Sequence, residues 1–207
     1  MENMKIKINI IAILLFFSVS VFSQDLSVMK DAFTNSYAYE KNKDYSKAIS
    51  EIIAVYDEKS YETNIRLGWL YYENGSYTSS AQYYAKAIAL MPYSIEARLG
   101  YVKPEKALGN WDLVKAAYEA ILKIDTQNSY ANYNMGLINY NNKDYQTAYT
   151  YLEKVANIYP FDYDITLLYA WTNFQLGKLR EAKVLFTKAL LISPGDSSAT
   201  EGLSLIK

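Results

Sequence analysis

The sequence predicts an all-α fold in which antiparallel helix pairs stack into an α-solenoid, and two observations lead to this prediction. Units of 34 residues begin at Tyr61, Ile95, Ser129 and Tyr163. Within a unit, apolar residues recur at helical spacing on both sides of a turn signal. Self-similarity at a fixed period of this length is typical of repeat arrays, in which each unit buries its apolar face against its neighbours.

Each unit is predicted to contain two amphipathic helices. In the unit that begins at Tyr61, a first helix is predicted over residues 61–73 and a second over residues 77–90. Asn74-Gly75 separates the two helices, and Pro92 ends the second one because proline cannot continue a helix. The last of the four units repeats this plan.

Small residues recur at the positions where two helices are expected to meet. The eighth position of a unit is Gly68, Gly136 or Ala170 in three of the four units. The twenty-fourth position is large in every unit and holds Tyr84, Tyr118, Leu152 or Phe186. We expect the small residues to let the helices approach closely and the large side chains to fill the space beside them, since interlocked layers reach protein packing density in this way.

This pattern resembles the tetratricopeptide repeat family, whose motif runs through Leu-Gly, Tyr, Ala, an aromatic, Ala and Pro over 34 residues. The unit that begins at Tyr61 carries Leu67, Gly68, Tyr71, Tyr84, Ala87 and Pro92. The resemblance implies a right-handed superhelix of five units at 29–60, 61–94, 95–128, 129–162 and 163–196. We expect residues 24–28 to form a short lead-in and residues 197–207 to form a C-terminal capping helix.

The third unit departs from the pattern. Pro104 lies within its first predicted helix, where proline removes a hydrogen bond and clashes with the preceding turn. The sequence therefore predicts a kink or a break near Lys103. Leu99-Gly100 offers an alternative register for the Leu-Gly pair of this unit.

The first 23 residues are typical of a signal peptide. Lys5 and Lys7 precede an uninterrupted apolar stretch over residues 10–17, and Ser23 is a small residue at the expected cleavage position. We expect an exported protein, periplasmic or secreted and soluble after cleavage. The chain has no cysteine, so a lipid anchor on cysteine is not expected. The alternative is an uncleaved anchor helix, but the apolar stretch is shorter than the ~20 residues that a spanning helix needs.

Composition argues against several function classes. The chain contains no histidine and no cysteine, which excludes histidine-dependent triads, cysteine nucleophiles and most zinc or copper sites. The formal net charge is −1, so no basic excess is present to neutralise nucleic-acid phosphates. Asp162 and Asp164 are interpreted as residues at the start of a helix, where acids are favoured. We therefore expect no enzyme activity, no cofactor, no metal and no nucleic-acid partner.

A partner-binding groove is the functional hypothesis that remains. In the family that the chain resembles, the first helix of each pair lines a concave groove. The corresponding positions here hold nine aromatic and two polar side chains: Phe33, Tyr37, Arg66, Trp69, Tyr72, Tyr130, Tyr133, Asn134, Tyr140, Trp171 and Phe174. Exposed aromatic side chains of this kind usually mark interaction sites. We expect the groove to bind a protein or peptide, as a scaffold or adaptor of the cell envelope.

Two alternatives use other features of the same chain. A carbohydrate-binding module would present the same aromatic surface to sugar rings, and Trp69 and Trp171 would then lie flat on an open surface. A structural adaptor would instead bind its partner on the convex face, where Tyr83, Tyr149 and Tyr151 lie on second helices.

Overall fold

The computed structural model describes residues 26–206, and within them every regular element is an α-helix. The all-α prediction is confirmed. The proposed signal peptide, residues 24 and 25 of the lead-in, and Lys207 lie outside the described residues, whereas residues 26–28 belong to the first helix. The helices are α1 (residues 26–41), α2 (Tyr45–Ala54), α3 (Tyr61–Glu73), α4 (Tyr77–Leu90), α5 (Ile95–Leu108), α6 (Trp111–Ile124), α7 (Ser129–Asn141), α8 (Tyr145–Ile158), α9 (Tyr163–Gln175), α10 (Leu179–Ile192) and α11 (Ser197–Leu205).

The helices divide into two compact units, each of which contains more than one of the predicted repeats. The first unit ends at Gly109 and contains α1–α5, and the second begins at Asn110 and contains α6–α11. Within each unit, consecutive helices pack against each other, as α3 does against α4 and α7 against α8. The prediction of stacked helix pairs is confirmed within each unit.

A polar N-cap residue recurs every 34 residues, before each of the helices α3, α5, α7, α9 and α11. The residue before α3, α5, α7, α9 and α11 is in each case a serine, asparagine or aspartate whose side chain accepts a hydrogen bond from the backbone N–H three residues later. These caps are Ser60, Ser94, Asn128, Asp162 and Asp196. Because such a cap satisfies an N–H group that the helix leaves unpaired, each stabilises its helix by about 1 kcal/mol. The interpretation of Asp162 as a helix-start residue is confirmed.

The core of the first unit is built around the ring of Tyr84. A Cβ atom placed on Gly68 of α3 would lie 2.9 Å from this ring, and one placed on Gly100 of α5 would lie 2.1 Å from it. Tyr84 is only 4% exposed, so both helices approach the ring where they have no side chain. Ser80 adds a hydrogen bond of 2.7 Å from its hydroxyl to the carbonyl oxygen of Gly68.

The second unit repeats this arrangement with other large side chains. A Cβ atom on Gly136 of α7 would lie 2.6 Å from Leu152 of α8, and one on Gly202 of α11 would lie 2.3 Å from Phe186 of α10. Leu152 and Phe186 are fully buried. The predicted pairing of small and large residues is therefore present in both units.

Helix α5 is continuous from Ile95 to Leu108, so it has no break near Lys103, and the alternative of a kink there stays a prediction. Proline in a helix interior costs about 3 kcal/mol. Here α5 packs against both α3 and α4, and Pro104 itself is buried, so burial of this helix offsets the local cost. The start of α5 follows the 34-residue spacing, and Gly100 contacts Tyr84 of the preceding pair rather than forming the Leu-Gly pair of its own unit.

We predict that Gly136→Ala destabilises the protein by about 1–3 kcal/mol, because its added methyl group overlaps the fully buried Leu152. Leu152→Ala alone should cost about 2–5 kcal/mol through the cavity that it leaves. The double variant should lose less than the sum of the two, since the new methyl group occupies part of that cavity. Urea unfolding of the three variants measures this coupling, and strictly additive losses would contradict the close contact.

We also predict that stability falls at alkaline pH. Burial, and secondarily a hydrogen bond to Glu105, raises the pKa of Tyr101 to about 12 from an ordinary value of 10.0. Burial likewise raises the pKa of Tyr84 and Tyr169. The folded state therefore holds these phenols protonated where the unfolded chain releases protons. Their contribution to stability is complete below about pH 10 and is lost as the pH rises towards 12. Thermal unfolding monitored with phenolate absorbance tests this, and Tyr101→Phe should lessen the fall.

Candidate partner-binding surface

The predicted groove residues of the first unit meet in one cluster, which we call the Trp69 cluster. It contains Tyr37 and Glu40 of α1, Arg66, Trp69 and Tyr72 of α3, and Lys103 of α5. Phe33 borders the cluster, with its ring centre 6.5 Å from that of Tyr37. Three first helices therefore contribute side chains to the same surface.

Arg66 is the structural centre of this cluster. Its side chain is 5% exposed, and its guanidinium donates to the hydroxyl of Ser36 at 2.9 and 3.1 Å and to the carboxylate of Glu40. The same guanidinium lies 3.8 Å from the ring centre of Tyr37. Arg66 is thus committed to internal partners, and it holds Tyr37 in place by a cation–π contact.

Trp69 is partly core and partly surface. Its indole N–H donates to the second carboxylate oxygen of Glu40, and its ring packs against the buried cluster that contains Leu67 and Leu70. The ammonium of Lys103 lies 4.3 Å from the centre of its ring, and the ring of Tyr72 lies 6.1 Å away. Trp69 is consequently half-buried, and a cation from the next first helix lies over its ring.

Tyr37 and Lys103 are the exposed members of the Trp69 cluster. Tyr37 is 57% exposed although its ring rests on Arg66, and the Lys103 side chain is also exposed. An aromatic ring that is both exposed and immobilised loses little conformational entropy when it binds a partner. These two side chains are therefore the members best placed for contact with a ligand.

Sequence reasoning missed Glu40, although its carboxylate joins Arg66 to Trp69. Glu40 is the twelfth residue of the first predicted repeat, 29–60, and Tyr72 holds the same position in the next repeat, 61–94. The groove prediction rests mainly on aromatic side chains, and Glu40 is not aromatic. One sequence signal could have identified it: Glu40 is an acid at a groove position, and the next repeat carries a basic groove residue, Arg66.

In the second unit, Trp171 and Phe174 lie against the C-terminal helix. The indole N–H of Trp171 donates to Ser198 of α11 at 2.9 Å. Its ring meets Phe174 at 5.6 Å and Phe186 at 4.8 Å between ring centres, edge to face in both cases. Both side chains are half-buried in the cluster that α9, α10 and α11 form.

The remaining groove residues of the second unit lie on α7. Asn134 is 7% exposed and donates to the backbone carbonyl of Tyr130 at 2.8 Å, so it supports the helix. Tyr140 is half-buried, with its ring centre 5.4 Å from that of Tyr145. Tyr130 and Tyr133 line a cavity of about 380 Å³, which we call the Tyr133 pocket. Its lining residues are Ser129, Tyr130, Tyr133, Tyr159, Asp162, Asp164 and Ile165.

The tyrosines proposed for the convex face are engaged in local packing. Tyr83 stacks on Tyr71 at 5.3 Å between ring centres, with an interplanar angle of 6°. Tyr149 packs against Tyr169 at 5.3 Å, and the ammonium of Lys178 lies 3.5 Å from its ring centre. Tyr151 is half-buried on α8. These contacts assign Tyr83 and Tyr149 at least in part to the stability of their own units.

No group of three or more acidic side chains between residues 26 and 206 is arranged to hold a metal ion. None of the helices α1–α11 combines the length and apolar character that crossing a bilayer requires.

Family models identify the repeat. Two models of the tetratricopeptide repeat match this chain, one over residues 34–95 and the other over residues 140–204. The chain belongs to the tetratricopeptide repeat family. Tetratricopeptide repeats generally mediate binding to protein partners, and proteins of the family are generally non-catalytic scaffolds.

Solved tetratricopeptide structures share the fold. A tetratricopeptide repeat protein from Parabacteroides merdae ATCC 43184 has a TM-score of 0.74 at 17% identity, over 86% of this chain and 72% of that one. A MamA protein has a TM-score of 0.70 at 20% identity, over 80% and 91%. MamA of AMB-1 has a TM-score of 0.69 at 17% identity, over 84% and 94%. At these identities the likeness shows the fold alone. No curated protein has a significant match to the chain.

We predict that Glu40→Gln destabilises the protein by about 3 kcal/mol, because it leaves the buried charge of Arg66 without a counter-charge. The Glu40 side chain is 23% exposed, so the loss should fall at the lower end of the range for buried pairs. Glu58→Gln in an exposed turn is the matched control. Equal unfolding free energies for the two variants in urea would show that the Arg66–Glu40 pair does not stabilise the fold.

Proposed function

We propose that this tetratricopeptide repeat protein is a non-catalytic scaffold that binds a protein or peptide segment across the aromatic side chains of its first helices. The observation that carries the proposal is the Trp69 cluster. There an exposed tyrosine rests on a buried arginine beside a tryptophan and an exposed lysine.

The chemistry of the Trp69 cluster suits a peptide or protein segment. Tyrosine and tryptophan are enriched among the residues that dominate binding energy at protein interfaces. Tyr37 offers an aromatic face, and Lys103 offers an ammonium group that can meet a carboxylate or a backbone carbonyl of the partner. Because Arg66 and Glu40 neutralise each other, Lys103 is the cation that this surface presents.

The carbohydrate alternative lacks a supporting observation. It requires an indole ring that lies flat and open to solvent. The ring of Trp69 instead lies under the Lys103 ammonium, and the ring of Trp171 meets two other aromatic rings edge to face. Both indole N–H groups already donate within the protein.

The proposal also includes the cellular location of the protein. The signal-peptide pattern of residues 1–23 supports export, so we propose that the partner is a component of the cell envelope or is itself exported. Fractionation of the native cells, with detection of the mature N-terminus by mass spectrometry, tests this part independently of binding.

Site-specific photocrosslinking tests the binding surface. A benzophenone amino acid at position 37 should crosslink a protein partner in an extract of the native cells, because Tyr37 lies at the exposed centre of the proposed surface. The same amino acid at position 93 is the matched control, since Tyr93 is 83% exposed and lies in a turn between α4 and α5. Equal crosslinking of one protein from both positions would contradict the proposal.

With the crosslinked partner purified, titration calorimetry should show weaker binding by Tyr37→Ala and Lys103→Ala. Removal of the aromatic face should weaken binding by more than ~1 kcal/mol if Tyr37 belongs to the energetic centre of the interface. Both side chains are exposed, so neither change should lower the unfolding temperature greatly. Unchanged affinity in both variants would place the interface elsewhere.

A further inference from the structure

The Tyr133 pocket of the second unit combines aromatic walls with carboxylates. It lies where α7 and α9 begin, and the turn after α8 supplies Tyr159. Tyr130 is 53% exposed and Tyr159 is 48% exposed, whereas Tyr133 is half-buried. Three phenol rings therefore border one cavity.

Two acidic side chains line the pocket. Asp162 uses one carboxylate oxygen to accept the backbone N–H of Ile165 at 3.0 Å, and Asp164 is exposed in the first turn of α9. Within residues 26–206, neither aspartate forms an ion pair with a basic side chain. Burial, followed by the charges of Asp164 and Asp162, raises the pKa of Tyr133.

The size of the cavity limits what it can hold. A volume of about 380 Å³ is at the small end of the range for ligand pockets. It suits one long side chain better than a large cofactor. Electron-rich faces of tyrosine rings attract cations, and carboxylates beside them add a direct ionic partner.

We infer that the Tyr133 pocket receives a cationic side chain, arginine or lysine, from a partner protein. The inference rests on the proposed function, because it assumes a protein ligand, and it specifies the chemistry of one contact. The aromatic rings hold the aliphatic stem and the cationic group, and Asp164 supplies the free carboxylate that pairs with the charge.

Three blocked tripeptides provide the probes: acetyl-Ala-X-Ala-amide, with arginine, lysine or glutamine at X. Each is titrated into the ¹⁵N-labelled protein, and amide resonances are followed by NMR. The arginine peptide, the lysine peptide or both should shift the resonances of residues 130–133 and 162–165 in a saturable manner. The glutamine peptide should not. Shifts of equal size with the glutamine peptide, or no saturable shift with either cationic peptide, would overturn the inference.

Asp164→Asn should weaken binding of the cationic peptide by about three- to fivefold, since it removes one charge from a solvent-accessible site. Asp112→Asn is the matched control, because Asp112 is also exposed and is also the second residue of its helix. Both changes remove an acid from a first helical turn, so any general effect on helix stability is shared. Equal affinities for the two variants would overturn the inference.

Tyr130→Leu provides a second variant that keeps an apolar side chain but removes the aromatic face. It should weaken binding of the cationic peptide by a similar factor. Unchanged affinity would overturn the role of the rings. The crosslinking experiment at position 37 reports on the first unit, so failure of the pocket and failure of the proposed function are distinguishable.

Discussion

The structure depends on one kind of contact, in which a glycine of one helix lies against a large buried side chain of the neighbouring helix. Tyr84 illustrates it, because Gly68 of the helix before and Gly100 of the helix after both face its ring. Gly136 faces Leu152, and Gly202 faces Phe186, in the same manner. The glycine and the large residue are sixteen residues apart in every case. Since packed side chains at this density cannot move aside, the spacing of consecutive helices within a unit is fixed by these contacts.

This fixed spacing brings side chains of successive first helices into contact. Arg66 of α3 reaches Tyr37 of α1, and Lys103 of α5 reaches Trp69 of α3, so each cation lies over an aromatic ring of the preceding first helix. A single helix pair could not build either contact. The proposed binding surface is therefore a product of stacking, and it depends on the glycine contacts although no glycine belongs to it.

Much of the fold is predictable because its signals are local and repeated. The turn glycines, the alternation of Gly68 with Tyr84 and the helical spacing of apolar residues each lie within one unit, and the period reinforces them. The continuity of α5 through Pro104 was not predictable, because it depends on packing against two other helices. The candidate site was harder to predict from the sequence for the same reason. The carboxylate of Glu40 on α1 accepts hydrogen bonds from two side chains of α3, and Trp171 of α9 donates to Ser198 of α11. Neither contact leaves a periodic trace in the sequence.

The charges at the two proposed surfaces are better suited to discriminating between partner segments than to attracting a partner from a distance. The formal net charge is −1, so long-range steering by the whole molecule is small. The local groups are more distinctive, since the Trp69 cluster presents the ammonium of Lys103 and the Tyr133 pocket presents the carboxylate of Asp164. Exposed charges of this kind contribute modestly to affinity but disfavour a partner segment with the wrong sign of charge. Affinity would then come from burial of the tyrosine rings beside them, an interaction that ionic screening does not weaken. Selectivity would come from the two opposite charges.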